Sequence, residues 1–218
     1  MTIENVELNK KYWDSFYART HKNIPSQFCI SVLTEIKPDA VVVELGSGNG
    51  RDSHYFASQG HITLAMDLSE QAIKSCNEES KSRNIQHATF FRGDITKSEC
   101  MKTLVDYARE LSAGRDVVFY SRFVMHSLND EQELKFLNVL SDFIQENEVM
   151  YFEFRSLEDA ALEKHFDGHY RRFVDTEKFK QILKGELGFS IEYSITGKGM
   201  AKYKKEDPFV SRLTIRKK

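Results

Sequence analysis

The chain has 218 residues, 40% of them hydrophobic and 12% aromatic, enough for one sizeable α/β domain with its own core. Its 31 basic and 33 acidic residues nearly cancel, which argues against a general pull on nucleic acid. Cys29, Cys76 and Cys100 form no CxxC pair, so neither a zinc site nor a disulfide framework is expected, and a reducing, cytoplasmic setting is. The first residues show no basic stretch leading into an apolar run, and no apolar run reaches membrane-spanning length, so no signal peptide and no membrane partner are expected. No repeat or low-complexity linker marks a second domain, so residues 1–218 are read as a single one.

In chain order, residues 8–20 carry Leu8, Tyr12, Trp13, Phe16 and Tyr17 at helical spacing. This aromatic stripe either packs on the domain or closes over a ligand pocket. A second helical stretch runs from Ser26 to Ile36 and is ended by Pro38. Val41, Val42 and Val43 then form a β-branched run suited to a strand buried on both faces. Three glycines follow, Gly46, Gly48 and Gly50, before the next helix over 50–59. Glycine takes positive φ and lets a ligand approach the backbone, and the helix start offers unpaired N–H groups. A dinucleotide fingerprint would place a small residue where Arg51 stands. Glu44, at the strand end, would repel a pyrophosphate but suits a cationic amine.

Glu44-x-Gly46-x-Gly48-x-Gly50 resembles motif I of the class I S-adenosylmethionine-dependent methyltransferases, among them bacterial small-molecule enzymes. The resemblance implies a Rossmann-like, doubly wound, mostly parallel seven-stranded sheet closed by a C-terminal antiparallel hairpin. It also implies S-adenosylmethionine as cofactor, held at Glu44, Gly46, Ser47, Gly48 and Gly50. In such enzymes the segment before motif I commonly closes over the pocket, which would make residues 1–38 a cap and Tyr17 a substrate neighbour.

The second strand, 61–66, ends at Asp67, and Ser69 caps the helix that follows to residue 83. An acid at the end of the second strand hydrogen-bonds ribose hydroxyls in doubly wound nucleotide folds. Asp67, with Leu68 beside it, matches that feature of the resembled class. The third strand, 88–91, leads to Asp94 and Ile95, which match the class's acid for the adenine amino group and its apolar neighbour. A helix over 98–112 precedes the fourth strand, 115–120. Ligands of open α/β sheets bind beyond the carboxyl ends of the strands at the topological switch point, and the fourth strand lies beside the first across that point. In the resembled class the next segment approaches the methyl group. Here it holds Ser121, Arg122 and His126, and His126 is the candidate general base because imidazole titrates near neutrality.

A helix over 130–146 leads to the fifth strand, 149–154, in which Glu153 is an acid among apolar residues. A buried acid needs a partner or a task. Arg122, Arg155 or a later arginine could pair with it, or it could orient the acceptor. His165, His169, Tyr170, Arg171 and Arg172 then crowd one short stretch, suited to an anion such as phosphate or carboxylate, which Arg pairs bidentately. No ligand spacing supports a metal site among these histidines. A helix over 175–185 and strands 189–196 and 209–216 close the chain. Tyr203, Asp207 and Arg212 lie in or near the last loop, and Tyr203 is kept as a substrate candidate.

The expected division is a cofactor core over 39–155 and an acceptor side with the closing hairpin over 156–218. The expected reaction is methyl transfer to an O or N atom of a small polar, anionic acceptor, such as a sugar or capsule precursor. An NAD(P)-dependent oxidoreductase is disfavoured by Arg51 and by the lack of a Tyr-x-x-x-Lys pair after the fourth strand. A non-catalytic binding partner of another enzyme is disfavoured by the His and Arg groups on the acceptor side. Nucleic acid is not an expected substrate, because no Asn-Pro-Pro-Tyr-type motif follows the fourth strand. An oligomer is possible, though nothing in the sequence indicates one.

Overall fold

The alternating strand and helix patterns fold into one seven-stranded mixed sheet in the computed structural model, which describes Tyr12, Ser15 and residues 24–164 and 170–218. The strands are β1 Val41–Leu45, β2 Thr63–Asp67, β3 Ala88–Arg92, β4 Val117–Arg122, β5 Val149–Arg155, β6 Phe189–Gly197 and β7 Val210–Lys217. The helices are α1 Gln27–Leu33, α2 Arg51–Ser58, α3 Glu70–Ser82, α4 Ser98–Ser112, α5 Asp130–Phe143 and α6 Thr176–Gln181, which continues as a π-helical turn to Glu186. The sheet order is β3-β2-β1-β4-β5-β7-β6. The first five strands are mutually parallel, and β7 runs antiparallel between β5 and β6. β1 and β4 adjoin at the switch point, and the expected doubly wound architecture with a closing hairpin is the one observed.

The β-branched run of β1 is buried throughout because both faces of the sheet are covered. Val41, Val43 and Leu45 join the larger core with residues of α4 and α5 and the π-helical turn. Val42 points the other way, with Phe28, Cys29 and Val32 of α1, Phe56 of α2, and Tyr120 and Tyr151. The period of two along the strands therefore puts Glu44, Arg122 and Glu153 on the α1–α2 face, at the carboxyl ends of β1, β4 and β5.

Several boundaries differ from the sequence reading. β2 begins at Thr63, after His61 spends its Nδ1 on the Ala40 carbonyl. β4 begins at Val117 and runs on to Arg122, so Ser121 and Arg122 sit on a strand instead of in the following loop. α5 opens with a capping box between Asn129 and Gln132 and ends at Phe143. Of the aromatic stretch 8–20, Tyr12 and Ser15 are helical, and Trp13, Phe16 and Tyr17 lie outside the described residues. Among the described residues no helix is long and apolar enough to cross a membrane.

Candidate functional site

The three glycines of the first turn all have positive φ: 82° at Gly46, 54° at Gly48 and 69° at Gly50. Two of them also carry packing constraints. A Cβ at Gly46 would overlap the Val124 side chain, and one at Gly50 would come within 2.7 Å of Cys76 Sγ and 2.9 Å of Phe90. The segment after β4 therefore lies directly on the glycine turn. Ser47 is buried within that turn, and its hydroxyl has no hydrogen-bond partner. Such orphans are rare in native interiors, and a polar ligand group at the turn would satisfy this one.

Glu44 is buried at the end of β1 and accepts a short hydrogen bond from the Ser53 hydroxyl. Burial, and then the neighbouring Asp52 carboxylate, hold its carboxyl well above the usual range. Arg51 lies close by. Burial, and then the Arg122 guanidinium, pull Arg51 below its ordinary value. Among the described residues its one ion pair is a loose 3.8 Å contact from Nε to Asp52. Asp52 is the knot of this region. It accepts from the Ser26 backbone at 2.7 Å, the Ser26 hydroxyl at 2.7 Å and the Tyr120 phenol at 2.8 Å. It thereby ties the cap of α1 and the first turn of α2 to β4.

At the end of β2, Asp67 accepts from the Gly48 N–H at 2.8 Å and from the Ser69 N–H at 2.9 Å. Leu68, next to it, is 49% exposed. Past β3, one oxygen of Asp94 accepts from the backbone and the hydroxyl of Thr96, at 2.9 and 2.7 Å. Ile95 is buried in the larger core instead of standing open beside Asp94. Ser121 is likewise buried, and its hydroxyl donates to the Leu45 carbonyl at 3.0 Å, stitching β4 to β1.

Three charged residues form a row across the sheet. Arg122, Glu153 and Arg212 are register partners on β4, β5 and β7. Glu153 accepts from Arg122 Nε on one oxygen and from Arg212 Nε on the other, each at 2.7 Å. Its side chain has no exposure, so it is screened from solvent by the two arginines it joins. Arg212 also donates to the Met200 carbonyl at 2.7 Å. The expected partner of Glu153 is therefore two partners, and Arg155 is not one of them. Arg155 pairs with Asp159 and Glu206, each at 2.6 Å.

Phe123 follows β4 with φ 59°, a left-handed conformation costly for a bulky residue and most often found at functional sites. The Arg122 guanidinium carbon lies 4.0 Å from the centre of its ring and that of Arg155 5.4 Å. The His126 ring centre is 5.5 Å away. His126 itself is 4% exposed, in the 3-10 turn Met125–Ser127. Arg171 is pushed down by burial and then by Arg155; burial raises the Tyr12 phenol, and the nearby Arg171 charge offsets part of that rise. Arg122, Arg155 and His126 thus gather around Phe123, with Arg171 near Arg155 and Tyr12 near Arg171.

Other candidates sit elsewhere. Arg172 pairs with Asp130 at 2.6 Å and, through a short contact, with Glu133, and its N–H donates to the His126 carbonyl at 2.8 Å. It clamps the post-β5 segment to α5, which departs from the anion-holding role read from the sequence. Tyr170 is half exposed beside it. Tyr203 pairs with Glu206 across a tight turn in the β6–β7 connection. Tyr17, His165 and His169 lie outside the described residues. Among the described residues no group of His, Cys, Asp or Glu could hold a metal ion.

Sequence reasoning passed over Arg51, Asp52 and Phe123 as site residues, and named Arg212 only as a residue near the last loop that could reach the acceptor. Arg51 entered only as a mismatch to a dinucleotide motif. Its partners Asp52, Glu44 and Arg122 could have flagged it only once β4 was laid beside β1.

The family model described as a methyltransferase domain matches residues 36–166. No curated protein matches the chain by sequence. Among solved structures, a SAM-dependent methyltransferase from Anabaena variabilis aligns with TM-score 0.72 at 16% identity, covering 100% of this chain and 96% of that one. A magnesium protoporphyrin IX methyltransferase from Synechocystis with bound SAM aligns with TM-score 0.59 at 15% identity, covering 100% and 86%. A Haemonchus contortus phosphoethanolamine N-methyltransferase, in complex with phosphoethanolamine and S-adenosylhomocysteine, aligns with TM-score 0.66 at 12% identity, covering 98% and 50%.

Proposed function

This chain belongs to the methyltransferase-domain family and is an S-adenosylmethionine-dependent enzyme; from that premise we propose that it methylates an O or N atom of a small, polar, anionic acceptor. The observation that carries the reading is the set of groups around the glycine turn. Glu44 suits an ammonium, Arg51 suits a carboxylate, and the orphan Ser47 hydroxyl suits either. Asp67 suits a ribose diol, and Leu68 and Asp94 suit the face and the amino group of adenine. The methionine end and the nucleoside end of S-adenosylmethionine need these chemistries in this order. Gly46, Gly48 and Gly50 let the backbone approach, while Ser121 and Ile95 support the wall from behind.

The cofactor supplies an electrophilic methyl group on a sulfonium, so the protein's task is placement in a dry pocket. Phe123 forms the floor between the cofactor turn and the acceptor side. Arg122 and Arg171 hold the acceptor's charge, with Tyr12, Tyr170 and Tyr203 at the rim. Tyr17 and His169 complete the proposed acceptor-binding residues. If the acceptor is a hydroxyl, His126 takes its proton on an imidazole nitrogen. If the acceptor is already anionic at the reacting atom, no base is needed and His126 is packing. Support for a small anionic acceptor is the crowding of cations on this side. The reading is also supported by the Haemonchus contortus enzyme of similar fold, whose structure is in complex with phosphoethanolamine. In this reading residues 1–38 cap the site, 39–155 hold the cofactor and 156–218 serve the acceptor, in a cytoplasmic protein that needs no nucleic acid or membrane.

Calorimetric titration with S-adenosylhomocysteine tests the cofactor site. Asp67→Ala is expected to weaken binding about tenfold or more, from loss of one charged hydrogen bond, and Glu44→Ala by a similar factor. Unchanged affinity in both would remove the assignment. His126→Ala with normal turnover would remove the base.

A further inference from the structure

The Arg122–Glu153–Arg212 row has more donors than its own carboxylate can use. Each arginine gives Glu153 its Nε, and Arg212 gives one Nη to Met200. Among the described residues, both Nη groups of Arg122 and the second Nη of Arg212 make no hydrogen bond. Both guanidiniums are largely buried, with 14% and 13% of their side chains exposed. Two cations share one anion, so the row is positive by one unit. A buried, under-coordinated cation is costly unless an anion joins it. The residues are register neighbours on three adjacent strands, so the spacing of the two guanidiniums is set by the sheet.

We propose that Arg122 and Arg212, held side by side by Glu153, form a preorganised subsite for an oxyanion, phosphate or carboxylate, carried by the methyl acceptor. The subsite rests on the methyl-transfer reading above and adds the groups that recognise the substrate. Arg212 becomes a substrate-binding residue. Glu153 touches no substrate; it is a positioning residue that fixes both arginines through Nε and leaves their Nη edges for the ligand. Arg122 stands between the cofactor turn, where Arg51 is its neighbour, and the β6–β7 connection, where Arg212 holds Met200. An anion bound there places the rest of the acceptor within reach of the cofactor's methyl group. Bidentate guanidinium pairing favours planar or tetrahedral oxyanions over halide, so the subsite selects by shape as well as charge.

The test uses the full-length protein saturated with S-adenosylhomocysteine, so that the cofactor's own carboxylate is already accommodated. Inorganic phosphate and acetate are titrated in by calorimetry at constant ionic strength. Phosphate or acetate is expected to bind saturably at one site, and the tighter of the two identifies the acceptor's anionic group. Arg212→Met/Glu153→Gln removes one charge of each sign and leaves the row at the same net charge. It is expected to weaken that anion about tenfold, the size of one lost charged hydrogen bond, with S-adenosylhomocysteine affinity unchanged. Arg212→Lys, which keeps the charge but not the fork, is expected to fall between, and it carries the test if the double variant does not fold. Lys205→Gln, a charge removed from the neighbouring loop, is expected to leave anion affinity as it was. Cofactor binding without saturable phosphate or acetate binding overturns the subsite alone. So does an anion affinity indifferent to both Arg212 variants. Failure of S-adenosylhomocysteine to bind overturns the methyl-transfer reading and the subsite with it.

Discussion

Replacing Asp52 with Asn probes the knot that joins the cofactor turn to the cap of α1. In the wild type, one buried carboxylate accepts from the Ser26 N–H, the Ser26 hydroxyl and the Tyr120 phenol at 2.7–2.8 Å. Hydrogen bonds to a charged acceptor contribute about 1.5–3 kcal/mol each, and neutral ones about 0.5–1.5. Asn keeps one oxygen for the Ser26 N–H and turns an NH2 toward two hydroxyls, which can rotate to accept. Three charged bonds become neutral, while one buried charge is removed. The balance is a loss of roughly 2 kcal/mol, or about 4–8 °C in Tm for a chain of this size. The variant should also change the cofactor site. After burial, Asp52 is the largest influence raising the Glu44 carboxyl. Removing its charge lets Glu44 ionise at lower pH, so S-adenosylhomocysteine should bind Asp52→Asn relatively better in mildly acid buffer than at neutral pH. Urea denaturation followed by circular dichroism gives the stability, and calorimetry at two pH values gives the affinity. An unchanged denaturation midpoint would refute the knot. A variant that loses affinity faster than wild type as pH falls would refute the electrostatic coupling.

Glycine is required at position 46 for two reasons and at position 60 for one. Both have positive φ, 82° and 97°, but a Cβ at Gly46 meets Val124, whereas nothing lies within 4 Å of one at Gly60. Gly60→Ala should cost about 1–2 kcal/mol from the backbone alone. Gly46→Ala should cost about 1–3 kcal/mol more from overpacking and should weaken cofactor binding; equal losses in the two melts would show that Val124 gives way freely. The Glu44 carboxyl sets a pH dependence. Its folded value is raised, so in the ligand-free protein its contribution to stability is full below the unfolded value and is lost as pH rises through the folded one. Cofactor binding needs the ionised form. Affinity should therefore fall as pH drops through the Glu44 value, binding should release a proton, and the Tm gain from S-adenosylhomocysteine should grow with pH. Calorimetry in two buffers of different ionisation enthalpy reads the proton, and Glu44→Gln should abolish the release.

The cofactor turn was legible because its information is local. Strand, glycines and helix start are consecutive, and the acid of β2 follows at the distance one helix and one strand require. Each such group is placed by backbone geometry that neighbouring residues determine. Arg171 and Arg172 show where this stops. Adjacent and chemically identical, they read as one anion-binding pair. The tertiary structure commits Arg172 to Asp130 and Glu133 of α5 and leaves Arg171 among Arg155, Tyr12 and Glu206. Ile95 and Ser121 were placed correctly along the chain, yet their side chains turn into the core and onto the Leu45 carbonyl.

The sequence by itself determined the doubly wound order, the closing hairpin and the chemistry of the cofactor turn, since periodicity and short-range spacing encode them. Only the tertiary structure decided which charges meet. Arg122, Glu153 and Arg212 are far apart in the chain and become neighbours because β7 enters antiparallel beside β5. Strand register, a collective outcome of packing both sheet faces, aligns them on one side.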